Sequence, residues 1–191
     1  GFTVDAMYTP DAGSGDAQAD NGTSGETGGT SGEATEIVVK GSVPMVEGLD
    51  VGVGYFNQDT DSTLTTGNFG QEEGTAYIKY STGPVSVGYQ RGVVSIQSAS
   101  TTAGSNSETL YDNRMIGISY KVSDNLSVSY NELESRKSNR GTDVDQEFDS
   151  LSASYSVGGM TIGIADADVS NSGYNSGRTQ EETSVSLSIA F

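Results

Sequence analysis

The sequence predicts an all-β protein, a transmembrane antiparallel β-barrel with ten strands in this chain, and three observations predict it. First, Thr183-Ser-Val-Ser-Leu-Ser-Ile-Ala-Phe191 places Val185, Leu187, Ile189 and Phe191 on one face and Ser184, Ser186, Ser188 and Ala190 on the other. Strand side chains alternate with a period of two, so this segment is apolar on one side and small and polar on the other. A closing strand that finishes on an interfacial aromatic is the habit of outer-membrane barrels. Second, Val51-Gly-Val-Gly-Tyr55, Val85-Ser-Val-Gly-Tyr89, Leu126-Ser-Val-Ser-Tyr130 and Met160-Thr-Ile-Gly-Ile164 are near copies spaced 34 to 41 residues apart, the length of one hairpin plus one loop. Third, short connections alternate with long polar ones.

Taken in order, the first strand spans Phe2 to Tyr8 and leads into a Gly-, Ser- and Asp-rich loop over 10–33. Ile37-Val-Val-Lys-Gly-Ser-Val43 then turns through Pro44 to Gly48 into the first repeat copy. Ala76-Tyr-Ile-Lys-Tyr80, Ile116-Gly-Ile-Ser-Tyr120 and Leu151-Ser-Ala-Ser-Tyr155 run in the opposite sense to the copies they adjoin. Thr82-Gly-Pro84, Ser123-Asp-Asn125 and Gly158-Gly159 supply the remaining tight turns. Long connections are expected near 60–71, 97–107, 138–144 and 170–180. Short turns at one rim and long polar loops at the other are the layout of a membrane barrel, not of a soluble sandwich. Residues 1–191 form a single domain in this reading.

Composition agrees. The 191 residues contain no Cys, His or Trp, and 33% are hydrophobic. No apolar run approaches the roughly 20 residues of a membrane helix, so spanning falls to strands, whose alternation hides them from hydropathy. A net charge of −17 argues against nucleic acid and against simple adsorption to anionic lipid.

With the valines and leucines toward lipid, Tyr80, Tyr120, Tyr155 and Phe191 make an aromatic girdle at the short-turn rim, and Tyr55, Tyr89 and Tyr130 a second row. Gln90 is assigned to the pore lining, and that face otherwise carries Gly52, Gly54, Ser86, Gly88, Ser127, Ser129, Ser150, Ser152, Ser154, Ser184, Ser186 and Ser188. Side chains this small do not fill a closed ten-stranded barrel, whereas a wider water-filled lumen does not need filling. Residue 1 already lies in a strand pattern with no leader before it, so the expectation is a carboxy-terminal portion of a longer barrel. Lys40, Lys79 and Lys121 share this inner parity. They read either as a basic stripe along the lumen or as cations snorkelling to the nearby rim.

Arg91, Asp112, Arg114, Glu132, Glu134, Glu147, Asp149, Asp166 and Asp168 fall on the lipid-side parity above a short apolar band. Three explanations are open: strands rising above the bilayer, a parity-flipping bulge, or a subunit interface.

Asp145-Gln-Glu147, the run from Ser150 to Ile162, Arg114-Met-Ile-Gly-Ile-Ser-Tyr120 with Asp124-Asn-Leu-Ser-Val-Ser-Tyr130, and Leu187-Ser-Ile-Ala-Phe191 resemble the last hairpins of alphaproteobacterial, Rhodobacter-like general-diffusion porins. The likeness is best from about residue 75 onward and loose before residue 50. It implies a 16-stranded homotrimeric barrel in the outer membrane of a Gram-negative bacterium, embedded in lipid and lipopolysaccharide. Small hydrophilic solutes and ions would pass by diffusion. The family's constriction loop would lie upstream of these residues.

An enzymatic barrel is disfavoured. Outer-membrane proteases pair His with acids and barrel phospholipases pair Ser with His, and this chain has no histidine. No catalytic, metal or cofactor residues are assigned. The pairs Asp59-Thr-Asp61 and Asp143-Val-Asp145 offer oxygen donors to Ca2+, but neither completes a calcium loop. The functional alternative is a structural or adhesin barrel whose loops, including Asp11 to Glu33, are read by a phage, an antibody or another cell. Conductance separates the two.

Overall fold

The computed structural model describes residues 1–9, 31–60, 67–99, 107–139 and 142–189. Ten strands follow one another: β1 (Phe2–Thr9), β2 (Ser31–Ser42), β3 (Leu49–Thr60), β4 (Gly67–Thr82), β5 (Val85–Ala99), β6 (Ser107–Lys121), β7 (Leu126–Asn139), β8 (Thr142–Val157), β9 (Met160–Ser170) and β10 (Gln180–Ile189). Among the described residues the one helical element is a single turn, Ser172–Tyr174, between β9 and β10. The strands form one sheet in chain order, and every pairing is antiparallel. Sequential hairpins of this kind satisfy each strand's backbone groups by its neighbours, which is what a span through lipid demands. Among the described residues, β1 pairs only with β2 and β10 only with β9, so the sheet is open between its first and last strands.

Tight turns set the register. Between β8 and β9, Gly158 and Gly159 both have positive φ, 54° and 82°. A two-residue connection between right-twisted strands requires that conformation, and glycine adopts it without a Cβ clash. In the β6–β7 turn the Ser123 hydroxyl accepts from the backbone N–H of Asn125 and Leu126.

The described residues form no packed interior. Among the described residues no large side chain is fully buried, and the buried apolar residue is Ala34. Val87, Ile162, Leu187 and Ile189 are 40–62% exposed. A soluble sandwich would cover these side chains with a second sheet. This one sheet leaves them bare, as a protein solvated by lipid does.

The strands are longer than the sequence pattern indicates. The connection expected over 138–144 contracts, because β7 runs to Asn139 and β8 begins at Thr142. The polar segment Gly67 to Thr75, expected in part as loop, extends β4. Cross-strand pairing holds these ends where hydrophobic alternation is lost; Arg136 is opposite Asp145 and bonds it. The strand and loop assignments at 10–30, 61–66, 100–106, 140–141 and 190–191 lie outside the described residues, and Asp61 and Phe191 with them.

Candidate functional site

Cross-strand partners share a face, so the register sorts every side chain without reference to curvature. One face carries Lys121 opposite Ser127, Ser119 opposite Ser129, and Ser86 opposite Ser119. Ser127 and Ser129 are opposite Ser154 and Ser152, which lead through Gly163 and Ala165 to Ser186 and Ser184. Lys79 and Gln90 belong to the same face through Gly88 and Tyr77, and Lys40 through Gly52. Lys40, Lys79, Lys121, Ser86, Gln90, Ser127, Ser129, Ser152 and Ser186 therefore lie on one side of the sheet.

Hydroxyls on this face pair across the strands: Ser127 with Ser154 at 2.8 Å, Ser129 with Ser152 at 2.7 Å, and Ser81 with Ser86 at 2.8 Å. Each of these hydroxyls is satisfied close to the backbone and projects little, so the short-turn end of this face is shallow and hydrophilic, while Met115, Leu133, Phe148 and Val169 form an apolar row farther up. Glycines keep it shallow. A Cβ on Gly163 would lie 2.6 Å from the Ser186 hydroxyl, and one on Gly117 2.6 Å from the Asn131 carbonyl oxygen. Gln90 donates to the Thr75 hydroxyl at 3.1 Å.

The lysines differ among themselves. Lys40 lies 3.7 Å from Asp5, and Lys121 lies 3.0 Å from Asp124 in the adjoining turn. Lys79 is opposite Asp50, whose carboxylate accepts from Ser42 at 2.6 Å, and among the described residues Lys79 has no ion pair. The Lys121 pairing brings that amine to the short-turn rim. Lys40 and Lys79 sit farther along their strands.

The other face is apolar at the short-turn end. Tyr80, in register with Val87, leads to Ile118, so Tyr120 lies two positions nearer the short turns. Tyr120 leads through Val128 to Ala153, and Tyr155 again lies two positions nearer. Tyr55, Tyr89 and Tyr130 form a second row that shifts in the same direction. A stagger in one direction is what tilted strands need to hold one level in a membrane. All six tyrosines are 40–47% exposed and uncovered by protein.

Above the apolar band, the face is charged. Arg91 donates two hydrogen bonds to Asp112 at 3.0 Å each, and Arg114 reaches the same carboxylate at 3.2 Å. Arg136 grips Asp145 at 2.7 and 3.2 Å. Glu132, Asp149, Asp168 and Glu181 stand opposite one another on β7 to β10. Register is unbroken from β5 to β10 among the described residues, so no bulge flips these residues to the other face. That explanation is removed. Asp166 accepts from the Thr183 hydroxyl at 2.6 Å. Asp145 is occupied by Arg136, and among the described residues no three acidic groups gather as a metal site.

Sequence reasoning missed one constellation on the serine face. Tyr111, Lys137 and Ser135 meet Tyr174 from the β9–β10 loop. A lone aromatic in a polar loop was the available signal.

A sheet with one bare apolar face ringed by tyrosines and one face of small hydroxyls defines the wall of a membrane channel. Residues 1–173 match the family model described as Gram-negative porin, and the chain belongs to that family. It is an outer-membrane β-barrel channel protein and not an enzyme. The match takes in β1 to β9 and ends before β10. No curated protein matches the chain.

Proposed function

We propose that the serine and lysine face lines a water-filled lumen through which small hydrophilic solutes and ions pass by general diffusion, as in the alphaproteobacterial porins. The observation that carries this reading is the run of small and hydroxylated side chains near the short turns on one face of β5 to β10, backed by an uncovered apolar face. Ser86, Gln90, Ser127, Ser129, Ser152 and Ser186 form the smooth wall, and Tyr80, Tyr120, Tyr155 and Phe191 anchor the short-turn rim. The ten strands are part of a 16-stranded barrel that assembles as a homotrimer. Support comes from the unpaired edges of β1 and β10 and from side chains too small to fill a ten-stranded closure. A native polypeptide much larger than 19.8 kDa accords with this; closure of β1 on β10 contradicts it.

The charged belt of β5 to β10 rises above the hydrocarbon, where its unpaired carboxylates face lipopolysaccharide phosphates through divalent cations. From Ile116 to Tyr120 the apolar stretch of β6 covers about 17 Å of strand at roughly 3.3 Å per residue. Even untilted that is shorter than the roughly 25 Å of an outer-membrane apolar band, so the belt clears the hydrocarbon where the bilayer thins around the barrel. No cofactor takes part in passage.

Lys40, Lys79 and Lys121 give the lumen a local anion preference. Reversing all three to Glu should shift the reversal potential in a salt gradient toward cations. An unchanged potential would make them rim anchors.

A further inference from the structure

We propose that the β9–β10 loop is a fixed constriction, folded across the lumen face at the long-loop mouth, with Tyr174 as its latch and Lys137 as the charge it presents. This rests on reading the serine face as the lumen.

The loop leaves β9 after Ser170 and rejoins the sheet at Gln180. Instead of projecting beyond the strand ends, it turns back over the sheet. Asn171 and Tyr174 take left-handed backbone conformations, φ 52° and 57°. A bulky tyrosine holds that conformation only where its surroundings over-determine it. The surroundings are on the page. The Asn171 amide donates to the Asp145 carbonyl at 2.7 Å, and the Gly173 N–H donates to the Gln146 side chain at 2.8 Å. Gly177 N–H closes the loop on the Asn171 side-chain oxygen at 2.8 Å. The Tyr174 ring sits 5.4 Å from that of Tyr111, tilted by 59°, and its hydroxyl lies 2.7 Å from Ser135. Lys137 Nζ stands 5.6 Å from the Tyr111 ring and 5.5 Å from the Tyr174 ring.

Direction follows from register. Asn113, Ser135 and Gln146 are in one cross-strand row, and Tyr111, Lys137 and Val144 in the next. Both rows share the face of Lys121, Ser127 and Ser152. A loop rooted in β9 that touches β6 crosses three strand spacings, about 14 Å at roughly 4.8 Å each. It therefore covers the inner wall: Ser135 is left only 3% exposed beneath it, and Ser172 within the loop is 8% exposed. Lys137 has no ion pair among the described residues, so the two rings hold its charge in place without neutralising it.

Conductance across planar bilayers tests this. Tyr174→Ala should raise single-channel conductance and move the exclusion limit, read by liposome swelling in neutral sugars, to larger sugars. Lys137→Gln should shift the reversal potential toward cations. Asn175→Cys does not depend on loosening the loop: a bulky, membrane-impermeant thiol reagent attached there should lower conductance. Ser129→Cys, labelled with the same reagent, reports on the lumen reading alone. If Ser129→Cys labelling lowers conductance while Tyr174→Ala and labelled Asn175→Cys match the parent channel, the constriction is overturned and the lumen stands. If labelled Ser129→Cys conducts as before, both are overturned.

Discussion

Val128 and Ser129 are neighbours in the chain, yet one is opposite Tyr120 and Ala153 on the apolar face and the other is opposite Ser119 and Ser152 on the hydroxylated face. That single-residue alternation was legible in the sequence, because side-chain parity is fixed by the pleat and needs no tertiary information. It gives a sharp contrast between two substitutions. Val128→Lys puts an ammonium against lipid beside the Tyr120 girdle, at a cost of about 1–2 kcal/mol, between the midplane and interfacial values. Ser129→Lys puts the same group in water and should cost under about 1 kcal/mol. Denaturant unfolding of the two variants in liposomes checks the difference; equal losses would mean that the faces are not lipid and water. What parity does not reveal is contact. Tyr174 and Lys137 lie 37 residues apart in sequence (174 minus 137), and their meeting depends on a loop path that no local pattern encodes.

Among the elements, β6 and β7 show most clearly how charges replace apolar alternation once the strands leave the band. Arg91 and Arg114 are directly opposite each other, and Asp112, 16% exposed, sits between them and accepts from both. Asp112→Ala removes the shared anion and leaves two guanidinium groups face to face. Like charges opposite one another destabilise a sheet, and these pairs are partly solvent-screened, so the expected loss is about 1 kcal/mol. The loss should shrink at high salt, where repulsion is screened. A salt-independent loss would trace instead to packing. Strand centres were readable here from Ile116-Gly-Ile-Ser-Tyr120 and Leu126-Ser-Val-Ser-Tyr130, but strand ends were not. Residues Glu132 to Asn139 carry charges on the apolar parity, so the hydrophobic signal disappears while the hydrogen-bonded ladder to β6 and β8 continues.

For the molecule as a whole, the order β1 to β10 with neighbour-only pairing makes every connection local in sequence, and the repeat of about one hairpin was enough to anticipate it. Loop-length alternation was a weaker guide, since the β7–β8 connection is as short as the turns at the other rim. The account's central claim is that the serine face is wet and the valine face is in lipid along the same strands. Because the chain contains no cysteine, single cysteines can be introduced at Ser127, Val128, Ser152, Leu151, Ser186 and Leu187 on an unreactive background. The most direct measurement is the rate at which a charged, membrane-impermeant thiol reagent modifies each one in the assembled channel, read with the accompanying change in conductance. The account predicts fast modification and reduced conductance at Ser127, Ser152 and Ser186, with Val128, Leu151 and Leu187 silent. Equal rates at both sets, or the reverse pattern, would contradict it.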